Sequence, residues 1–383
     1  MAADGARTLS VAACNIFVKA ERTKVNAIIS QPSLKKAVSQ VIKGVGRNSE
    51  LPIVNGILIE ASDGTVSMRS TDMTSSIRTM APATVEEAGS TVVSGRMLES
   101  IVKSLPDDAV TIRLDGRTAV VSCRRASYRL NTLDPKDFPD FPEVAPDEVV
   151  ELPVSTLSDM ASKVARCTSK DQSRPILGCV QLSVDGDLMR LVSTDSYRLM
   201  VCDTNLSSEG SFCAAVPSKA LTEALKMADP SGTIEVGMSM NQVVFRSGSA
   251  VYVTRRVDGS FPDYRMLMPN SHEVSVHADV TILGSALKHV SVMAKENPTV
   301  RVSVDGNAMT LMSTSILDGE SSETIDVDSD GTIAFAVNSK YLADGLDCAG
   351  DDVSIELVSP VHPVVMKSYG QVNCMYLLMP VRA

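Results

Sequence analysis

The run Val216-Pro217-Ser218-Lys219-Ala220-Leu221-Thr222-Glu223-Ala224-Leu225-Lys226-Met227-Ala228 decides how the chain is organised. Leu221, Ala224, Leu225 and Ala228 recur at helical spacing. Asp229-Pro230-Ser231-Gly232 then breaks the helix ahead of a strand at Thr233-Ile234-Glu235-Val236. The same plan occurs at Thr91-Val92-Val93-Ser94-Gly95-Arg96-Met97-Leu98 through Val110-Thr111-Ile112, and again at Ala336-Val337-Asn338-Ser339-Lys340-Tyr341-Leu342 through Val353-Ser354-Ile355. The matched leucines Leu98, Leu221 and Leu342 lie 123 and 121 positions apart. The chain is thus three copies of one unit, each of ordinary domain size.

Bulk composition narrows the function. The 383 residues include 46 acids against 36 Lys and Arg, a net charge of −10, which argues against indiscriminate binding of nucleic acid by the whole surface. A local basic face stays compatible with it, because binding follows the local potential. With no Trp and 19 Met, the cores must be aliphatic, and no apolar run is long enough to span a membrane. The eight cysteines are scattered without a C-x-x-C pair, as plain thiols in a reducing cytosol would be. Residues 1–23 stand outside the repeat and read as a disordered extension. Asp4 and Asn15 spoil their resemblance to an export signal, so a cytoplasmic location is expected.

Three domains are expected, at 24–145, 146–270 and 271–383. In the first, Val25 to Ile29 reads as a strand, Ser33 as the cap of a helix running from Leu34 to about Val45, and Asp63-Gly64 as a hairpin turn. First helices of the later copies are expected at Ser155–Cys167 and Ser285–Lys295. Each copy has two helices among many hairpin-linked strands, which is an α+β pattern of antiparallel sheets.

Basic residues recur seven apart, two helical turns or about 10.5 Å along one face. The pairs are Lys36 and Lys43, Arg96 and Lys103, Lys163 and Lys170, Lys219 and Lys226, and Lys288 and Lys295. The sixth helix has Lys340 and then Asp347, which predicts the weakest positive charge in the third domain. Any one pair is an ordinary solvated face. Five in an acidic chain suggest one shared basic surface that holds phosphates without reading bases. No catalytic centre is visible. His272, His277, His289 and His362 lack metal-ligand spacing, and there is no P-loop, dinucleotide loop or nucleophile elbow. Asp72 and Asp195 match between copies, but a turn explains them better than a hydrolase carboxylate pair.

Several segments resemble one known family: Leu51-Pro52-Ile53-Val54-Asn55-Gly56, Ser193-Thr194-Asp195-Ser196-Tyr197-Arg198-Leu199, Val257-Asp258-Gly259-Ser260-Phe261-Pro262-Asp263-Tyr264 and the ending Met379-Pro380-Val381-Arg382. In combination, and with the triple repeat, they are similar to the bacterial DNA polymerase III beta subunit over residues 24–383. The resemblance implies a clamp fold, a head-to-tail homodimeric ring with sheets outside and helices lining a hole, and no cofactor, metal or enzymatic activity. Its partners would be duplex DNA, a replicative polymerase, the clamp loader and other proteins bearing a clamp-binding motif. The basic pairs and Arg47 would face DNA. A partner-peptide pocket would use Leu177, Thr194, Ser196, Tyr197, Arg198, Leu199, Pro262, Leu267, Asn338, Tyr341, Val361, Pro363, Met379, Pro380 and Arg382. Tyr128, Leu130, Val292 and Met293 would form apolar parts of the subunit interface. Ser196-Tyr197 stands where the family often has Gly-His, and Met266 where it often has a basic residue. A clamp-like repeat protein that binds peptides without holding DNA is the alternative.

Overall fold

The structure, a computed structural model, describes residues 24–46, 50–206, 211–294 and 298–381. The extension at 1–23, Arg47, Lys295 and Arg382 lie outside the described residues. The first repeat comprises β1 (Asn26–Ser30), α1 (Gln31–Val41), β2 (Gly56–Ser62), β3 (Thr65–Thr71), β4 (Ser75–Pro82), β5 (Thr84–Glu87), β6 (Gly89–Ser94), α2 (Gly95–Ser104), β7 (Ala109–Asp115), β8 (Thr118–Cys123) and β9 (Ala126–Leu133). The second comprises β10 (Glu148–Pro153), α3 (Val154–Val164), β11 (Cys179–Asp185), β12 (Leu188–Thr194), β13 (Arg198–Asn205), β14 (Ser211–Pro217), α4 (Ser218–Leu225), β15 (Thr233–Met238), β16 (Gln242–Ser247) and β17 (Ala250–Arg255). The third comprises β18 (Val274–Asp279), α5 (Val280–Val290), β19 (Thr299–Asp305), β20 (Ala308–Ser315), β21 (Gly319–Asp326), β22 (Asp328–Ser329), β23 (Thr332–Asn338), α6 (Ser339–Leu346), β24 (Asp352–Leu357), β25 (Val364–Ser368) and β26 (Asn373–Leu378).

The first helix of each repeat buries residues at i, i+3, i+4 and i+7 spacing, and the shorter second helices bury a leucine with the residues three and four places on. In α3 these are Leu157, Met160, Ala161 and Val164; in α5 they are Leu283, Ala286, Leu287 and Val290. That apolar stripe seats the helices on the sheets, whose strands alternate buried and open residues, as β3 does. All strand pairings are antiparallel. Asp63 and Gly64 both take positive φ, 48° and 74°, as the expected tight hairpin requires. No described helix is long and apolar enough to cross a membrane.

The sheets run through the domain boundaries. One 13-stranded sheet has the order β10-β15-β16-β17-β4-β3-β2-β6-β9-β8-β7-β1-β5, so β17 of the second repeat pairs with β4 of the first. A 9-stranded sheet, β14-β11-β12-β13-β26-β25-β24-β18-β22, joins β26 of the third repeat to β13 of the second. The remaining sheet, β21-β20-β19-β23, is 4-stranded and has β21 at its edge. Both junctions therefore pair the last strand of one repeat with the strand equivalent to β4 in the repeat before it.

Three local expectations are corrected. The cap of α1 is Ser30, whose hydroxyl accepts from Ser33 N at 3.4 Å, and the helix starts at Gln31 with Pro32 in its first turn. Helix α5 begins at Val280 and not at Ser285, because Asp279 Oδ1 accepts from Ile282 N at 2.8 Å. The β-branched Val280-Thr281-Ile282 looks like strand, but the cap and the apolar stripe outweigh that propensity. Finally, of the four basic pairs whose members are both described, only Arg96 and Lys103 lie within one α-helix. Lys43, Lys170 and Lys226 fall beyond the ends of α1, α3 and α4, so the seven-residue spacing does not place those pairs two turns apart on a helix.

Candidate functional site

The two helices of each repeat pack side by side, and contacts at the two junctions extend them into one row, α2-α1-α4-α3-α6-α5. The linking contacts are equivalent. Lys43 Nζ meets Glu223 at 3.1 Å in the first junction, and Arg166 Nη1 meets Asp344 at 3.3 Å and Asp347 at 2.8 Å in the second. Glu223 and Asp344 are repeat partners, matched like Leu221 and Leu342. Gln40 Nε2 also donates to Met227 O across the first junction at 2.9 Å.

The basic residues divide into two groups. Lys36, Arg96, Lys219 and Lys288 are exposed on the helices and carry no ion pair among the described residues. Lys43, Lys103, Lys163 and Lys226 are paired with Glu223, Glu99, Asp159 and Glu223. Lys43 and Lys163 are also half-buried. Lys170 is exposed in the loop after α3 and lines a cavity between the second and third domains. Asp347 is engaged with Arg166, so it is neutralised at the junction where it stands. The paired acids escape a reading of lysines alone; Glu99 and Asp159, four residues before their lysines, carry the one local signal.

At the junction of β13 and β26 the residues expected to form a peptide pocket part into a buried and an exposed set. Leu177, Thr194 and Leu199 are buried, Leu199 in an apolar cluster with Val192, Val201, Tyr264, Val365 and Leu377. Tyr197, Leu267, Val361 and Met379 are exposed, Val361 by 78% and Tyr197 by 61%, and Pro262 is exposed beside them. Met379 N donates to Tyr197 O at 2.9 Å, which fixes the chain's last stretch against this exposed set. Two cavities flank it. One, about 710 Å³, is lined by Tyr197, Arg198 and Tyr341 with Arg166, Lys170 and Arg174. The other, about 860 Å³, has Val361 and Pro380 against Phe335, Met312 and Val302. Asn338 caps α6, its Oδ1 accepting from Lys340 N and Tyr341 N. Pro363 is half-buried.

Arg198 anchors this junction. Its side chain is 10% exposed; Nε donates to Asp195 Oδ2 at 3.0 Å, Nη2 to Arg166 O at 2.6 Å and Nη1 to Asp344, while the guanidinium lies 4.2 Å over the Tyr341 ring. Burial opposes its charge, but the bond to Asp344 and its other partners hold it protonated well above its ordinary value. Asp344 and Arg166 were not foreseen, being paired with Arg198 only through the fold. Asp195 Oδ1 accepts from the backbone N of Tyr197 and Arg198, both at 3.0 Å, and Asp72 Oδ1 does the same for Thr74 and Ser75. The matched acids are thus turn-formers on separate hairpins. Ser196 follows with φ of 79°, a left-handed conformation that a glycine adopts freely. Ser196→Gly is expected to leave the fold intact and to raise stability by roughly 0.5–1 kcal/mol, read by chemical denaturation.

Two of the expected interface residues follow α5, at one end of the helix row, and two lie on β9, between β6 and β8 in the 13-stranded sheet. Tyr128 and Leu130 lie on β9, Tyr128 half-buried and Leu130 buried within its own core, which limits Leu130 to a supporting place. Val292 is exposed and Met293 half-buried, just after α5. Val292 occupies the position that Lys43 and Arg166 hold at the two junctions. Ile316 and Leu317, at the tip of the β20–β21 hairpin, are strongly exposed and had no place in the sequence reading. Among the described residues no group of His, Cys, Asp and Glu could hold a metal.

Comparison with known proteins agrees along the whole repeat. Family models described as the N-terminal, central and C-terminal domains of the DNA polymerase III beta subunit match residues 25–142, 151–263 and 265–382. The beta sliding clamp of Staphylococcus aureus is 28% identical over 362 residues, covering 90% of this chain and 96% of its own. That of Staphylococcus epidermidis is 27% identical. The DNA polymerase sliding clamp of Bacillus subtilis superposes with a TM-score of 0.89 at 25% identity, over 94% of this chain and all of that one. The Thermotoga maritima beta subunit gives the same score and identity. With its three clamp domains matched in order, the chain belongs to the bacterial DNA polymerase III beta-subunit family, the beta sliding clamps.

Proposed function

We propose that two copies close head to tail into a ring around duplex DNA and tether a replicative polymerase to it without catalysing a reaction. The observation that carries this reading is the repeated junction. β4 receives β17 and β13 receives β26, which leaves as partners for the same operation β21 and the part of β9 before Thr132, where its edge runs beyond the two-residue pairing with β6. Continuing the register sets Gly319 opposite the partner's Leu130, Ser321 opposite the partner's Tyr128 and Glu320 opposite the partner's Arg129. Charge supports it: β21 carries Glu320, Glu323 and Asp326, and the β8–β9 hairpin carries Arg124, Arg125 and Arg129. Heterologous contacts of this kind make closed rings when the rotation closes.

Light scattering on the full chain is expected to give twice 40.8 kDa, and the protein should stay on circular DNA but leave it after linearisation. A strictly monomeric chain overturns the reading. Arg129→Glu, which sets like charges opposite one another, is expected to weaken the dimer several-fold, and the swap Arg129→Glu with Glu320→Arg to restore it.

In the ring the helix row would face DNA, holding phosphates through exposed Lys and Arg in a salt-dependent way. The groove beside Tyr197, Leu267, Val361 and Met379 would take a short peptide with a few apolar anchors, which raises the local concentration of its owner. A second reading, a peptide-binding clamp that does not hold DNA, is favoured by the acids that neutralise Lys43, Lys103, Lys163 and Lys226.

A further inference from the structure

We infer that Cys202 and Cys374 form an oxidisable dithiol that closes into a disulfide fastening the second domain to the third. The two residues face each other across β13 and β26, with their sulfurs 3.5 Å apart. Directly opposed residues of an antiparallel pair have Cα atoms about 4.5–5.5 Å apart. That lies within the roughly 4.4–6.8 Å that disulfides span, so side-chain rotation alone can bring the sulfurs to bonding distance.

Two buried thiols commonly pack as small apolar groups. Their setting argues for more. The same positions of the first junction hold Thr79 and Ala250, and there Thr79 donates its hydroxyl proton to Gln40 Oε1 at 2.8 Å. In the second junction the place of Gln40 is taken by Lys163, whose ammonium lies beside Cys374. The contact with Cys202 holds the Cys374 thiol below its ordinary value, with burial opposing and the Lys163 charge assisting. The contact with Cys374, together with burial, pushes Cys202 the other way. Cys374, the less buried of the two and bordering a cavity, is the attacking thiolate and Cys202 the resolving thiol.

Cys374 also lines a small cavity with Cys348, Gly345, Ala349, Met366 and Tyr376. Its volume is about 10 Å³, at the lower limit for a single water molecule. Cys348 does not compete well: its thiol donates to Lys163 O at 3.9 Å, and burial pushes it up to about 12.

The oxidant is a peroxide. The Cys374 thiolate attacks one peroxide oxygen, the O–O bond breaks, and hydroxide leaves and is protonated to water, giving a sulfenic acid. The Cys202 sulfur then displaces the sulfenic oxygen, which departs as a second water with the Cys202 proton. Two thiols lose two hydrogens and one hydrogen peroxide becomes two waters. The bond closes a loop from residue 202 to 374 and makes covalent a junction otherwise held by packing, hydrogen bonds and the ion pairs of Asp344 and Asp347. It neither requires nor follows from the proposed action on DNA.

The test uses the full chain with Cys14→Ser and Cys213→Ser, which removes the exposed thiol Cys213 and the N-terminal one. The folded protein is treated with hydrogen peroxide, alkylated, digested without reductant and mapped by mass spectrometry. One cross-linked peptide pair joining residues 202 and 374 is expected, reversed by dithiothreitol, with a thermal midpoint raised by several degrees. Lys163→Met should slow its formation several-fold. Two outcomes overturn the inference: both thiols still alkylatable after unfolding at a dose that fully oxidises Cys213 in the parent chain, or Cys374 found paired with Cys348.

Discussion

A chain carrying Lys36→Glu, Arg96→Glu, Lys219→Glu and Lys288→Glu is expected to lose its hold on nicked circular DNA while keeping its fold and its dimer. All four residues are exposed on the helix row, and none is ion-paired among the described residues, so reversal breaks no ion pair there. Each phosphate contact releases about 0.9 counterion, and a ring of two copies loses eight contacts, so the log–log salt slope should fall by about 7 and retention at low salt by on the order of 1,000-fold or more. Neutralising the other set, with Gln at Lys43, Lys103, Lys163 and Lys226, should cost much less, because acids already screen those charges. Filter retention across a salt series, alongside light scattering for the dimer, separates the outcomes. Unchanged retention in the fourfold variant would favour the peptide-binding reading.

Arg198→Met should both destabilise the chain and weaken peptide capture. The substitution leaves Asp195, 12% exposed, and Asp344 without their shared cation, and it removes the plane that stacks on Tyr341. Removing one partner of a buried ion pair costs roughly 3–5 kcal/mol. At roughly 2–4 °C per kcal/mol the thermal midpoint should fall by about 6–20 °C. Adding Asp344→Leu should recover little of the loss, since Asp344 keeps Arg166 at 3.3 Å in the single variant and Asp195 stays uncompensated in both. Thermal unfolding measures the first effect. Titration with a short peptide bearing apolar anchors measures the second, which the double variant should not recover because the Arg198–Tyr341 platform is absent. A single variant as stable as the parent would refute the anchoring role of Arg198.

Much of the fold is legible because it rests on short-range regularities. The spacing of Leu98, Leu221 and Leu342 announces three copies, and apolar residues at i, i+3, i+4 and i+7 announce the helices. Asp63-Gly64 announces its hairpin through the positive φ that two successive turn residues must adopt. The reading faltered at helix ends. There a single side chain such as Ser30 or Asp279 competes with propensity, and Lys43, Lys170 and Lys226 slip off the helices they were assigned to.

The candidate site was legible as residue types and not as arrangement. Segments such as Ser193–Leu199 and Phe261–Tyr264 mark the expected pocket, yet nothing in them separates the buried Thr194 and Leu199 from the exposed Tyr197. The same limit applied to charge, since the pairing of Lys43 with Glu223 joins residues of two different repeats.

By itself, then, the sequence determined the repeat, the α+β class, the helical stripes and the family, all of which are written in residue spacing. Tertiary structure alone decided which lysines keep a free charge, how Arg198 ties Asp195 to Asp344, and that Cys202 meets Cys374. Those facts depend on strands and helices far apart in the chain being brought into register, and register is set by the packing of whole sheets.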